Sequence, residues 1–258
     1  MQKLLFPAIA LLLFAATASA YPITPRPLRK MIMESQYIIR GTVLETGSLP
    51  AEKTHSSSWN SDYAVILVRE AWQGRPLPDT ITVYYTARLI CPAPPVYTKG
   101  EEIITFLNKP EKGDGYETQA LSYGVKSGLG AAGMNVYHQR TVEMQQILAI
   151  KDQQLQAEKT LDWLIECAAN PYTRWEGVYE LSPGSDFMSV HDKEGGTHRR
   201  IFPNRRQQER LFDLLLATDT LAYADMGLVD IVTGLNDAAL LGFLKKRLMQ
   251  VHHLYVWP

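Results

Sequence analysis

The chain has very little cysteine, no excess of either charge and, beyond its first 20 residues, no long apolar run. A formal net charge of −1 gives no general attraction to nucleic acid, so we predict that the protein binds none. No later window approaches the roughly 20 apolar residues of a membrane-spanning helix, and no membrane span is predicted. With 46% apolar and 21% charged residues, the composition is that of a globular protein.

Short motifs of common catalytic sites are also missing. The sequence contains no Gly-x-Ser-x-Gly, His-Glu-x-x-His or Cys-x-x-Cys pattern, so three familiar kinds of catalysis have no local signature. The adjacent acids Glu101 and Glu102 would face opposite sides of a strand and suit shared acid–base work poorly. A catalytic set assembled from distant residues stays open. No catalytic residue, cofactor or metal ligand is predicted.

Two sequence motifs resemble functional sites but lack features that such sites require. Residues 128–133, GLGAAG, match the glycine spacing of a dinucleotide-binding loop, with Asp152 about 20 residues further on. No apolar strand follows to complete a βαβ unit, so a flexible linker is the better interpretation. His191 and His198, with acids between them, are spaced more widely than usual metal ligands. We interpret them as solvated loop residues.

The N-terminal 20 residues have the form of a secretory signal. Lys3 precedes an apolar stretch that ends in the small-residue pattern of residues 18–20. Cleavage between Ala20 and Tyr21 would leave a soluble protein that is secreted or periplasmic. The absence of a glycosylation sequon favours a bacterial periplasm.

The only two cysteines are Cys91 and Cys167, and both would survive that cleavage. An oxidising compartment permits one disulfide between them. Two buried thiols are the alternative.

The first half of the remaining chain has β-type patterning. Residues 64–68 are β-branched and apolar enough for a strand covered on both faces, and Gly41 marks a bulge. Together with a short helix over 27–35, we predict an OB-like domain at 21–127, a five-stranded antiparallel barrel, with a sandwich fragment as the alternative. The predicted strands are residues 36–45, 64–68, 80–87, 102–108 and 116–123.

The second half changes to a helical period of 3.6. We predict an α+β protein in which a Gly-rich linker, 128–135, leads to an all-helical, HEAT-like domain at 136–258. The first long helix, 136–169, is expected to break near residues 156–160. Expected features further along are caps at Asn170–Pro171, Asp219–Thr220 and Asn236–Asp237, a helix at 206–217, and a last helix with Leu240, Leu241, Leu244 and Leu248 on one face.

A family resemblance covers residues 34–125. Along this range the sequence contains, in order, Ile38–Val43, Val65–Glu70, the Trp72–Gln73–Gly74 corner, Cys91, and Lys99–Gly100–Glu101 before Ile103–Leu107. This order resembles that of the netrin-like, or tissue-inhibitor-of-metalloproteinases-like, OB module. Two departures matter. The corner often reads Lys-Gly in such modules, and the metalloproteinase inhibitors chelate zinc through an N-terminal cysteine, where this chain would have Tyr21. The resemblance therefore implies the fold rather than the inhibitory mechanism.

Two surface features are candidates for binding. One is an arginine cluster, which would suit an anionic ligand, and the other is an aromatic helix face. We predict an exported, non-enzymatic binding module of the cell envelope whose partner is another envelope or secreted protein. The alternatives are a hydrolase at the domain junction using His138, His191 or His198, or a peptidase inhibitor. The candidate residues are Arg199, Arg200, Arg205, Arg206, Tyr172 and Trp175.

Overall fold

The computed structural model describes residues 24–50, 60–89, 93–111, 113–182, 185–191, 198–219, 221 and 225–255. The predicted signal segment, its cleavage point at Ala20–Tyr21, and Cys91 lie outside the described residues.

Five strands close into an OB-like barrel. Their order is β1-β2-β3-β5-β4, and β4 pairs back onto β1. The β3–β5 pair is parallel, whereas the other pairs in the barrel are antiparallel. The predicted fully antiparallel barrel is thus corrected to a mixed one, because β4 and its connections form the long crossover that a parallel pair needs. The strands are β1 (Tyr37–Ser48), β2 (Asp62–Gln73), β3 (Thr80–Tyr85), β4 (Glu102–Asn108) and β5 (Tyr116–Thr118), with β6 (Val125–Lys126) paired to β4.

The first hairpin shows why a glycine is needed at position 41. The register of β1 against β2 shifts between Arg40 and Gly41, which confirms the predicted bulge. A Cβ at Gly41 would lie 2.5 Å from Cγ2 of Ile66 and 2.7 Å from the carbonyl oxygen of Leu67. Both distances are far below van der Waals contact, so no side chain fits there.

The strand that is buried on both faces is β4, and not β2 as predicted. Strand β2 contains the predicted strand at 64–68, but its residues alternate between buried and partly exposed over 62–67, so the predicted burial of both of its faces was wrong. In β4, Ile103 and Leu107 point into the barrel, whereas Ile104 and Phe106 pack against helices on the outside. The middle of the strand is mainly apolar because it lies between two cores.

Seven helices are described, and most of them follow the barrel. They are α1 (Leu28–Glu34), α2 (Gly130–Leu148), α3 (Gln153–Ala169), α4 (Arg174–Leu181), α5 (Arg205–Leu216), α6 (Met226–Val232) and α7 (Asp237–Tyr255), with a 3₁₀ turn at Leu121–Gly124. A hairpin of β7 (Ser189–His191) and β8 (His198–Arg200) interrupts them. The second half is therefore mainly rather than entirely helical.

Several helix boundaries differ from those that the sequence indicated. The break in the first long helix falls at residues 149–152, because the Asp152 side chain accepts the N–H groups of Gln154 and Leu155 and starts α3 there. Most of the proposed linker is helical, since α2 begins at Gly130. A Cβ at Gly133 would lie 2.9 Å from the Tyr172 ring, so this glycine permits close packing.

The later helices also start or face differently. Helix α4 begins at Arg174, not directly after Asn170–Pro171, and α6 begins at Met226, not at 219–220. In α7 the buried positions are Leu240 and Phe243, whereas Leu241 is 53% exposed. The side chain of Leu248 is not among those described.

One apolar core joins the two halves. It contains Leu28 and Met31 of α1, Phe106 of β4, and buried residues of α2 to α7 such as Met144 and Leu211. The barrel interior forms a second core. Every helix in the described part of the chain is too short or too polar to cross a bilayer.

Candidate functional site

The Trp72–Gln73–Gly74 corner ties the barrel to two helices. Nε2 of Gln73 donates to the carbonyl oxygens of Ile32 (3.0 Å) and Ser35 (2.6 Å) at the end of α1. Its Oε1 accepts from Gln145 Nε2 of α2 at 3.0 Å. Gln73 thus supplies a side-chain donor to carbonyl oxygens at the end of a helix, where the regular backbone hydrogen bonds stop.

Two buried glutamates, one helical turn apart on α4, lie between the barrel and the helices. Glu176 is 2% exposed and accepts hydrogen bonds from the Leu28 N–H (2.7 Å), Lys126 Nζ (2.8 Å) and the Tyr137 hydroxyl (3.1 Å). Its partners come from α1, β6 and α2. This carboxylate therefore holds three elements at once, and it has the hydrogen-bond partners that a buried charge requires.

The second glutamate, Glu180, is 1% exposed and pairs with Arg29 of α1. Arg29 donates from Nε to Oε2 (3.0 Å) and from Nη2 to Oε1 (2.6 Å) in the two-pronged arrangement typical of strong ion pairs. Burial raises the pKa of Glu180, although Arg29 and Lys30 act in the opposite direction. The guanidinium of Arg29 also lies 5.1 Å from the centre of the Phe187 ring.

An aromatic stack crosses the same junction. The Trp175 ring lies between Tyr123, at 5.7 Å, and Tyr179, at 5.4 Å, with interplanar angles of 19° and 25°. Trp175 is 39% exposed and Tyr172 is 41% exposed. Trp175 therefore already makes two ring contacts within the protein, which reduces the ring area available to a ligand.

A cleft opens beside the Arg29–Glu180 pair. We name it the interhelical cleft; it has a volume of about 760 Å³ and lies between α1, the start of α3, and residues 201–207. Its apolar side includes Met33, which is 53% exposed, and Phe202, which is 71% exposed. The remaining lining residues are Arg29, Leu148, Gln153, Gln154, Gln156, Ala157, Glu158, Thr160, Leu161, Asp186, Phe187, Ile201, Asn204 and Gln207.

Phe202 is held in position from both sides. The Ile201 N–H donates to the Met188 carbonyl oxygen at 3.1 Å and so continues the pairing of the β7–β8 hairpin. On the other side, Asn204 and Gln207 form a capping box that fixes the start of α5. Pro203 is buried and restricts the residue before it to an extended conformation. The backbone on both sides of Phe202 is therefore constrained, and its large apolar ring is exposed to solvent.

The predicted arginine cluster is only partly placed. Arg205 and Arg206 are exposed in the first turn of α5, and Arg205 Nε is 2.8 Å from Glu209 Oε1. Arg199 and Arg200 lie in β8, but their side chains are not described. Within the described part of the chain, no hydrogen bond, ion pair or ring contact joins Arg205 to the aromatic pair Tyr172 and Trp175.

Of the three candidate histidines, the described structure places the side chain of His138 alone. His138 is exposed on α2, and its ring stacks on Trp72 at 4.8 Å. The side chains of His191 and His198 lie outside the description. Among the described residues, no group of three or more His, Cys, Asp or Glu side chains could hold a metal ion.

The disulfide stays a prediction because Cys91 is not described. Cys167 is buried, and burial raises the pKa of its thiol. Its hydrogen-bonding neighbour is the Thr173 hydroxyl, which donates to the Cys167 carbonyl oxygen at 3.1 Å.

Sequence patterns did not reveal the glutamate pair, the cleft or the exposed Phe202. The sequence does contain a signal for the glutamate pair, because Glu176 and Glu180 occur at i, i+4 among apolar residues in WEGVYEL. No protein-family model matches this chain, and no curated protein is significantly similar to it in sequence.

Proposed function

We propose that the protein is a non-enzymatic binding module of the cell envelope and that the interhelical cleft receives a segment of a partner protein. The observation that carries this proposal is Phe202, an aromatic side chain with 71% exposure on a constrained stretch of backbone at the edge of a large cleft. Exposed aromatic residues that are already ordered make good binding anchors, since little conformational entropy is lost when a partner covers them.

The composition of the cleft supports a polypeptide rather than a purely apolar ligand. Met33, Phe187 and Phe202 provide apolar contact area, whereas Gln153 and Gln154 lie at the start of α3 and provide amide groups. An extended peptide has both kinds of group to match them. A volume of about 760 Å³ is within the range of about 300–1,000 Å³ for ligand sites.

The paired titratable groups near the cleft favour binding over catalysis, although Glu158, an exposed carboxylate of α3, also lines it. Arg29 is engaged by Glu180, and Lys30 forms an ion pair with Asp186. Acid–base catalysis needs a group that can exchange a proton with substrate, and these groups are already paired with each other. A hydrolase using His138 remains the second candidate, because that exposed imidazole stacks on Trp72 near the junction.

The test is selection of random heptapeptides on the immobilised chain, residues 21–258. We expect a set of related peptides whose affinity falls at least about tenfold in Phe202→Ser, since aromatic anchors often contribute more than about 1.4 kcal/mol. Val96→Ser is the matched control, because Val96 is 63% exposed and does not line the cleft.

Failure to select any peptide, or equal binding by the Phe202→Ser protein, would overturn the proposal. So would turnover of an ester, peptide or glycoside that disappears in His138→Ala. Retained binding in Phe202→Ser but loss in Trp175→Ser would move the site to the aromatic face.

A further inference from the structure

A smaller cavity adjoins the cleft on the other side of Phe202. We name it the side pocket; it has a volume of about 200 Å³ and shares Ile201 and Phe202 with the interhelical cleft. Its other apolar lining includes Met188, Pro203 and Ile231. This volume is below the usual range for cofactor and drug-sized ligands, so the side pocket fits one side chain of a bound segment.

One charged residue lines the side pocket in the described structure, and it is Asp230 of α6. The polar residues beside it are already engaged. Gln208 Nε2 donates to the Ile231 carbonyl oxygen at 3.4 Å, and the Thr233 hydroxyl donates to the Val229 carbonyl oxygen at 2.8 Å. The carboxylate of Asp230 therefore sets the charge of this pocket.

We infer that the side pocket receives a lysine or arginine side chain from the partner segment bound in the interhelical cleft. The apolar walls suit the aliphatic stem of such a side chain. The Phe202 ring can receive the cation on its face, and the Asp230 carboxylate can pair with the charged end. This inference rests on the proposed function, because the basic side chain belongs to the segment that occupies the cleft.

Other side chains fit this pocket less well. An apolar side chain would cover the Asp230 carboxylate and remove water from it without supplying a hydrogen-bond partner. Asp230 is exposed, and an acidic side chain would place a second negative charge beside it. The preference should therefore depend on the charge of the side chain and not only on its length.

The peptide selection described above also tests this inference. We expect one position of the selected heptapeptides to be lysine or arginine, and replacing a lysine there by norleucine should weaken binding at least about tenfold. Asp230→Asn should remove the enrichment, and Asp230→Lys should shift it toward aspartate or glutamate. Asp213→Asn is the control, because Asp213 is exposed on α5 and lines neither cavity.

The results distinguish a failure of the proposed function from a failure of the inference about the side pocket. If no peptide is selected, the proposed function fails. If peptides are selected and need Phe202, but carry no preferred basic residue, the cleft stands and the inference about the side pocket is wrong. Equal norleucine and lysine affinities, or an unchanged preference in Asp230→Lys, would also overturn it.

Discussion

The interior of the barrel is closed by its own strands and their connections, whereas the outer face of β1 and β4 is closed by helices from the other half of the chain. Inside the barrel all the buried apolar residues lie between positions 39 and 116. The outside core instead combines Ile38 and Ile104 of the barrel with residues as distant as Phe243. The first core is local in sequence, and the second depends on long-range contacts.

The barrel interior and the junction with the helices also differ in the polar groups that they bury. Inside the barrel, the Tyr97 hydroxyl bonds Thr105 at 3.0 Å and Thr118 at 2.6 Å, so this network is neutral. At the junction, the buried groups include an ion pair, that of Glu180 with Arg29. A buried charge that loses its partner is far more costly than a neutral hydrogen bond. The junction should therefore be the more sensitive region to single charge changes and to pH.

The largest effect is expected from Phe106→Ala, which removes a fully buried ring from the junction core. Phenylalanine-to-alanine changes in cores typically cost about 3–5 kcal/mol. Because the ring belongs to β4 but packs against the helices, we expect both halves to lose stability together. Urea unfolding followed by far-UV circular dichroism and by tryptophan fluorescence should give coincident shifted curves, and separated curves would show that the halves unfold independently.

The next largest effect should come from Arg29→Met, which leaves the Glu180 carboxylate buried without its main cation. Breaking a buried pair by removing one partner costs about 3 kcal/mol or more. Burial already raises the pKa of Glu180, and loss of Arg29 would raise it further. A group with a raised folded-state pKa favours the folded state fully below its unfolded pKa and loses that contribution as pH rises.

The cost of Arg29→Met should accordingly be greatest near neutral pH and should shrink as pH falls toward the ordinary glutamate pKa of about 4.3. Unfolding free energies measured in urea between about pH 4 and pH 7 check this. The double variant Arg29→Met, Glu180→Gln is the control and should lose the pH dependence. A cost for Arg29→Met that stays constant across this range would show that the charge of Glu180 is not the cause.

A smaller effect is expected from Gln73→Ala at the corner. The change leaves the carbonyl oxygens of Ile32 and Ser35 without their side-chain donor, and each such hydrogen bond contributes about 1 kcal/mol. We expect a loss of about 1–2 kcal/mol in thermal or urea unfolding. Gln139→Ala is the control, because Gln139 bonds only the exposed Glu143 one turn along its own helix.

These differences explain which features could be predicted from sequence. The barrel strands follow from period-2 patterning and turn residues, and β4 was placed at its observed bounds, 102–108. The parallel β3–β5 pair was missed because strand direction depends on topology rather than on local pattern. The hairpin at 189–200 was missed because each strand has only three residues, too few for a periodic signal.

Other features could not be predicted because they depend on contacts between residues far apart in the sequence. Glu176 looks like a surface residue in sequence, and its burial depends on Leu28, a partner 148 positions away. The cleft lies between α1, α3 and residues 201–207, so no single segment contains its pattern. The helix break at residues 149–152 was placed wrongly because Asp152 was not recognised as a cap.

The smallest effect on stability is expected at Arg205, which we predict to contribute to binding and little to folding. Its pair with Glu209 is solvent-exposed, with side-chain exposures of 66% and 56%, and such i, i+4 pairs contribute about 0.3–0.5 kcal/mol. Arg205→Ala should therefore change the unfolding free energy by no more than about 0.5 kcal/mol. Against this unchanged stability, a loss of affinity for the selected peptides would place the arginine cluster at the binding surface. A stability loss as large as that of Gln73→Ala would instead show that Arg205 serves the fold, and unchanged affinity would remove it from the binding surface.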